Sequence, residues 1–349
     1  MGLKGWINQK RRVIMGALTN RIGRAHKVPN SESVKGLTIK NVLIVRPNHR
    51  LGNQLLTTPL VQEVENTFPN CTIDIFAKGG VAFAIFENYK SVGKIYQLPK
   101  KPFSNLLKYV LCWVSIKRKT YDIVINADKD SSSGRLLTSL AKAPLKVFTA
   151  ANDDIKQSHG DYMHIAKYPI YNLRRYLAEL NFPKNTTALP LLNLKLTQAE
   201  IANGKSLLHN IVGLNKPTIC IYTNATGDKC YSEEWWLSFY AKLQDCFASN
   251  YNIIEMLPVE HISKINFTAP HFYSKDVREM ASVIANTAIF ISADNGVMHL
   301  ASSANTPTVG LFSRNNQNIY MPYGNGSIAL YTQIKTQDDI ILDVAKILA

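Results

Sequence analysis

The chain has no apolar run long enough to cross a bilayer. Its best candidate, Phe103 to Ile116, contains Lys108 and falls short of the ~20 residues a spanning helix needs. The N-terminus carries positive charge, but Lys10, Arg11 and Arg12 interrupt any apolar core of a secretory signal. The expectation is therefore a protein that stays in the cytoplasm. The five cysteines (Cys71, Cys112, Cys220, Cys230, Cys246) form no C-x-x-C pair, which argues against a zinc knuckle or a disulfide framework. Most sit in apolar surroundings and read as buried free thiols. No carboxylate pair stands at an obvious divalent-ion spacing. The nearest, Asp128-Lys129-Asp130, has a lysine between its acids and is weak as a metal site. Acidic residues are scarce, 25 against 40 Lys and Arg, leaving a net charge of +15. Such a balance implies anionic partners: nucleic acid, an acidic membrane or phosphorylated small molecules. No aromatic-basic surface motif supports the first of these, and no nucleic-acid partner is expected.

What is present is ordinary globular material, 46% hydrophobic and 19% charged, with room for two domains in 349 residues. The most informative stretch is Thr287 to Arg314. Ala288 to Ile291 reads as a buried strand, Asp294-Asn295-Gly296 as a turn, Val297 to Ala304 as a helix and Thr308 to Phe312 as a second strand. That succession is one unit of a parallel α/β sheet, and such sheets bind ligands beyond the strands' carboxyl ends. The turn would offer backbone N–H groups and the positive end of a helix to an anion, with Gly296 permitting close approach. The competing reading is an ordinary strand-to-helix turn with polar residues.

Residues 1–40 carry nine Lys/Arg and one acid, Glu32. Ile14, Leu18 and Ile22 recur at helical spacing, so this segment reads either as a basic amphipathic helix on an anionic membrane or as a solvated extension. A first α/β series follows over 41–185: strand Asn41 to Arg46, a loop Pro47 to Gly52, helix Asn53 to Thr67, strand Cys71 to Ala77, strand Tyr121 to Asn126 and helix Tyr171 to Leu180. Between them, Phe103, Leu106, Leu107, Val110, Leu111 and Val114 form a helical stripe. The stripe predicts a crossover helix facing the core, with lipid contact as the alternative. Pro183 to Thr197 reads as a linker. A second series fills 186–335: strand Thr218 to Tyr222, helix Glu233 to Phe247, strand Asn252 to Met256, helix Asp276 to Asn286 and strand Ala288 to Ser292. A final helix covers 336–349. The expected fold is α/β, two Rossmann-like doubly wound domains facing a cleft.

Three stretches carry a family resemblance. Val42 to Pro59 (VLIVRPNHRLGNQLLTTP) offers a strand, a turn and a Thr-Thr-Pro helix, continued by Phe68 to Asp74. Asp228 to Trp236 (DKCYSEEWW) has a lysine followed by tryptophans, and Asp294 to Ala301 reads DNGVMHLA. In order and separation they resemble glycosyltransferase family 9, the ADP-heptose:lipopolysaccharide heptosyltransferases, over about residues 40–345. The resemblance implies a GT-B architecture and inverting transfer without a metal or other cofactor. It also implies an ADP-type nucleotide-sugar donor, with heptose or a related sugar, and a lipopolysaccharide-core-like acceptor. That acceptor, an anionic glycolipid, would bring peripheral contact with the cytoplasmic face of the inner membrane.

Such chemistry needs positive groups on the leaving phosphate. Lys229 is the first candidate, joined by the N–H groups near Asn295, Gly296 and Val297. His299 would bond a phosphate oxygen or sugar hydroxyl, Asp294 would accept from sugar hydroxyls, and Thr223 and Thr226 would help at the same edge. Glu255 would hold the ribose, unless it is a structural strand-end acid. Ser274 and Asp276 read as a helix N-cap. On the acceptor side Leu51-Gly52-Asn53 stands where the family has Leu-Gly-Asp. An amide takes no proton at neutral pH, so Asn53 cannot act as the base. His49 or Asp130 would then serve, or the acceptor would need little base help, or the chain would be a binding relative. A transferase with another donor and acceptor is the second enzyme reading. Arg46, Arg50 and Arg135 would bind acceptor phosphate or carboxylate. Lys90, Lys94, Lys100, Lys101 and Lys108 would dock on an acidic glycolipid surface.

Overall fold

A computed structural model describes residues 28–99, 106–149 and 151–349. The amphipathic reading of the N-terminal extension falls mostly on residues 1–27, outside the described residues, as do Lys100, Lys101 and Phe103. The described chain divides into two compact units. The first comprises the described residues up to His49, Pro59–Phe83 and Tyr89–Pro190. The second comprises Arg50–Thr58, Ala84–Asn88 and Leu191–Ala349.

The first unit holds five parallel strands: β1 (Asn41–Arg46), β2 (Thr72–Lys78), β3 (Val92–Leu98), β4 (Ile123–Asn126) and β5 (Leu145–Phe148), in the order β3-β2-β1-β4-β5. β1 is buried along nearly its whole length because helices cover both faces of a parallel sheet. The second unit holds six: β6 (Thr218–Tyr222), β7 (Asn252–Met256), β8 (His271–Phe272), β9 (Ile289–Ala293), β10 (Thr308–Phe312) and β11 (Ile328–Tyr331). Their order is β11-β10-β9-β6-β7-β8. β6 pairs with both β7 and β9, so the order reverses between β6 and β9. That reversal is where doubly wound sheets open a crevice at their carboxyl ends. Ile219, Ile221, Trp236, Phe239, Ile291 and Leu311 form part of the core that holds this sheet.

Sequence periodicity missed the edge strands β3 and β5 and the helix Gln198–Val212, although Thr197 and Glu200 form a capping box at its start. It also ran one helix through Asn53 to Thr67. The structure breaks it into Leu51–Leu55 and Thr58–Thr67. Pro59 has no N–H for the Leu55 carbonyl, and the Thr58 hydroxyl donates to that carbonyl instead, at 2.7 Å.

The stripe on helix Leu106–Arg118 is a second correction. Ile116 is fully buried, and Cys112 and Trp113 pack against the same core, so the helix does cover the sheet. It does so with the opposite face: Leu107, Val110, Leu111 and Val114 are exposed. The apolar positions run around more of the helix than one sheet can cover.

In the second unit Arg278 is buried and clamps Glu200 with two hydrogen bonds, at 2.5 and 3.0 Å, and donates to the carbonyl of Ala84. That guanidinium, the largest influence, lowers the Glu200 carboxyl to about 2. Beside it, Gly204 meets the helix Val277–Ile284 so closely that a Cβ would lie 2.2 Å from the carbonyl of Ser282. Gly204→Ala is expected to destabilise the chain by about 3 kcal/mol. A denaturant midpoint equal to that of the wild type would refute the close packing.

Candidate active site

The pocket lies within the second unit, at the carboxyl ends of β6 and β9, with a volume of about 480 Å³. That size suits a small ligand. Its wall begins with Arg50, Leu51, Gly52 and Asn53, then runs through Tyr222, Thr226 and Lys229 to Glu260 and Lys275, and closes with Asp294, Gly296, His299 and Tyr320.

Lys229 ends a short 3-10 turn, Gly227–Lys229, just after β6. Its ammonium bonds Asp294 at 2.5 Å and lies 5.4 Å from the centre of the Tyr320 ring. An ammonium has three N–H donors. Asp294 takes one, which leaves two more on a side chain that lines the pocket. Asn316 also donates to Asp294, at 3.2 Å. Both bonds reach the same carboxylate oxygen, Oδ2, and together they fix where the cation sits.

Asn295 caps the helix Gly296–Ser303. Its side-chain oxygen accepts from the N–H groups of Val297 and Met298, at 2.8 and 2.9 Å. This corrects one expectation, because the Val297 N–H is taken and unavailable to an anion. The Gly296 N–H, first in the helix, has no intrahelical acceptor. Gly52 packs directly on this turn. A Cβ there would come within 2.8 Å of the His299 ring and 3.2 Å of the Gly296 Cα.

His299 is 3% exposed and its Nδ1 has no protein partner. Burial lowers its pKa to about 4; Asp294 opposes the shift and Lys229 reinforces it. At neutral pH the ring is uncharged, a hydrogen-bonding group rather than a cation.

Two expected ligand contacts move elsewhere. Thr223 and Glu255 are buried, and the Thr223 hydroxyl donates to Glu255 at 2.6 Å. Ser263 donates to the other carboxylate oxygen, also at 2.6 Å, and the Lys264 N–H donates to Thr223. Burial raises the Glu255 pKa against these hydrogen bonds. The pair anchors the loop after β7 and does not line the pocket. That loop instead presents Glu260, exposed on the wall. Burial first, and Glu260 second, push the Tyr222 phenol pKa up. Neither Glu260 nor Lys275 had a periodicity or capping signal to single it out. Ser274 and Asp276 behave as an N-cap: Asp276 accepts from the Arg278 and Glu279 N–H groups.

The acceptor-side candidates separate. Arg50, Gly52 and Asn53 line the pocket. His49, Asp130, Arg46 and Arg135 belong to the first unit. Arg46 is 2% exposed, paired with Asp128 at 3.3 Å and bonded to the Ala127 carbonyl, so it holds the loop after β4 and is closed to a ligand. Arg135 bonds the Lys129 carbonyl beside it. Among the described residues no group of three or more His, Cys, Asp or Glu is arranged to hold a metal ion. No helix among them is long and apolar enough to cross a membrane.

The model of glycosyltransferase family 9 (heptosyltransferase) matches residues 274–340, which contain Asp294, Gly296 and His299. Over this segment the chain is similar to the family 9 glycosyltransferases. Its fold agrees. A family 9 glycosyl transferase from Veillonella parvula superposes with a TM-score of 0.69 at 16% identity, over 89% of this chain and 98% of that one. E. coli heptosyltransferase WaaC with ADP gives 0.64 at 17% identity, over 88% and 99%. E. coli ADP-heptose lps heptosyltransferase II gives 0.62 at 14%, over 88% and 98%. No curated protein matches the chain in sequence.

Two outcomes follow from the packing of this site. Gly52→Ala, by pushing Leu51–Leu55 off the turn, should cost about 1–3 kcal/mol in unfolding free energy. An unchanged urea midpoint would contradict the contact. His299 makes the fold acid-sensitive. The unfolded chain binds this proton near pH 6.5 but the folded chain only near 4, so stability falls as pH drops through that window. The full loss is about 3 kcal/mol. His299→Gln should remove that share. Urea titrations at pH 7 and pH 4 that give wild type and variant the same acid loss would rule it out.

Proposed function

We propose that the chain transfers a sugar with inversion, and without a metal ion, from an ADP-type nucleotide sugar to an anionic glycolipid. The sugar is heptose or a relative of it, and the acceptor resembles a lipopolysaccharide core. The observation that carries this reading is one pocket holding a fixed ammonium, a helix-start N–H and a neutral imidazole side by side. WaaC is described with ADP and its E. coli relative as an ADP-heptose enzyme, which supports the adenine nucleotide.

In the reaction the acceptor oxygen bonds the anomeric carbon with a lone pair. The carbon–oxygen bond to the diphosphate breaks, and its electron pair leaves on the phosphate. Negative charge grows there, and Lys229 and the Gly296 N–H stabilise it. Neutral His299 gives a hydrogen bond to a phosphate oxygen or a sugar hydroxyl. Asp294 accepts from the sugar while holding Lys229 in place. Glu260 takes over the ribose role first given to Glu255, since it lies on the pocket wall. Arg50 meets the acceptor's negative charge.

Asn53 lines the pocket as an amide, and the carboxylates on the wall are Glu260 and Asp294, the latter bound to Lys229. We assign a late proton transfer from the acceptor oxygen to solvent water, after most of the leaving-group bond has broken. His49 and Asp130 remain the alternative bases. Asn53 favours a second reading, in which the fold and donor half are kept and the acceptor differs from the lipopolysaccharide core.

A mass-spectrometric screen of nucleotide sugars for transfer or donor hydrolysis tests the proposal. Turnover with an ADP-sugar is expected, and turnover with non-adenine donors alone would overturn the donor assignment. Lys229→Met should lower kcat about 10²–10³-fold while the fold is retained. Asn53→Asp should keep or raise activity; a folded variant with no turnover would show that position 53 has left the family chemistry.

A further inference from the structure

We propose that the outward face of helix Leu106–Arg118 seats the first unit on an anionic lipid bilayer. Leu107, Val110, Leu111 and Val114 are 72%, 48%, 53% and 37% exposed. Their spacing, i, i+3, i+4 and i+7, makes one continuous stripe along a helix of 13 residues. The helix is not loosely attached. Its other side buries Ile116 and stacks Trp113 edge-on against Phe76, with ring centres 6.0 Å apart. The apolar stripe is thus held outward by a well-packed inner face.

Charge selects the occupant. The segment Leu106–Arg118 contains no acidic residue. Lys117 and Arg118, three and four residues beyond Val114, are exposed and continue the stripe. Lys119, in contrast, is committed to Asp74 at 2.8 Å. An apolar stripe ending in free cations matches the boundary between acyl chains and phosphate headgroups. Residues 1–27 make a poor cover for it, since they carry seven Lys/Arg and no Asp or Glu and would be repelled by the basic end. The same 27 residues would reinforce attraction to the same anionic plane.

The test uses the full chain and floats it with vesicles, either phosphatidylglycerol–phosphatidylethanolamine or phosphatidylcholine alone. Binding to the anionic vesicles is expected. The double variant Leu107→Asp/Leu111→Asp should reduce partitioning about tenfold or more, with its thermal unfolding midpoint unchanged because both sites are exposed. Lys117→Glu/Arg118→Glu should erase the preference for anionic lipid. In Leu111→Trp the new indole should be quenched by brominated acyl chains. The proposal is overturned by wild-type chain that does not bind, by an unquenched Leu111→Trp, or by a Leu107→Asp/Leu111→Asp variant that binds like wild type. It is equally overturned if the wild type sediments as a dimer that this double variant dissociates, which would make the face an interface between copies. None of these readouts depends on turnover, so they stand apart from the fate of the transferase reading.

Discussion

The contact between the backbone of Gly52 and the turn at Gly296 and His299 is what the rest of the pocket depends on. It exists because neither glycine has a Cβ; one on Gly296 would lie 3.2 Å from the Gly52 nitrogen. The short helix Leu51–Leu55 can therefore lie on the start of Gly296–Ser303. That covering removes His299 from water, and removal from water lowers its pKa to about 4. A neutral ring with a partnerless Nδ1 is the outcome. Buried polar atoms without partners cost stability, and they persist where a ligand supplies the missing bond. A chain of cause thus runs from two absent methyl groups to a hydrogen-bonding group held ready for a substrate.

Asp294 plays the complementary part for Lys229. In the proposed transfer, the cation that meets the diphosphate has to be held in position before the donor binds. The carboxylate does this through one N–H, and Asn316 keeps the carboxylate from turning away. Lysine fits this task, since its remaining donors turn toward a ligand without breaking the first bond. Tyr320 lies beside the ammonium and narrows the directions left to it. In the proposed transfer the negative charge of Asp294 would repel a phosphate placed against it, so the diphosphate would go to the Lys229 and Gly296 side and Asp294 to sugar hydroxyls.

Much of this was readable in the sequence. Apolar runs located β6, β7, β9 and β10 to within a residue or so, because parallel strands buried on both faces are nearly all apolar. Asp294, Gly296 and Lys229 were legible as residues just beyond such strands. What failed did so where tertiary contacts decide. Glu255 and Glu260 are both acids near the end of β7, and only the course of the loop shows that the first is bonded to Thr223 and Ser263 while the second reaches the pocket. The stripe on Leu106–Arg118 announced a helix, but periodicity does not say which apolar side a sheet will cover. β3 escaped because Gly93, Lys94 and Gln97 dilute an edge strand. The segment Arg50–Thr58 read as part of the N-terminal series, yet it packs with the C-terminal unit, a fact held in the glycine contact rather than in any local pattern.

Under the proposed transfer, Asn53 sharpens how the labour of catalysis would be divided. Sugar transfer through an oxocarbenium-like state breaks the bond to the leaving group ahead of full bonding to the nucleophile. Charge then appears first on the phosphate, where Lys229 and Gly296 wait. The nucleophile becomes strongly acidic only once its oxygen is bonding to carbon, and by then even a weak acceptor takes the proton. A general base lowers such a barrier less than it lowers one in which deprotonation leads. A site built this way tolerates an amide at position 53 far better than the loss of its ammonium. The structure fixes Lys229 through Asp294 and Asn316, buries His299 beneath Gly52, and leaves Asn53 half-buried in the wall of the same pocket.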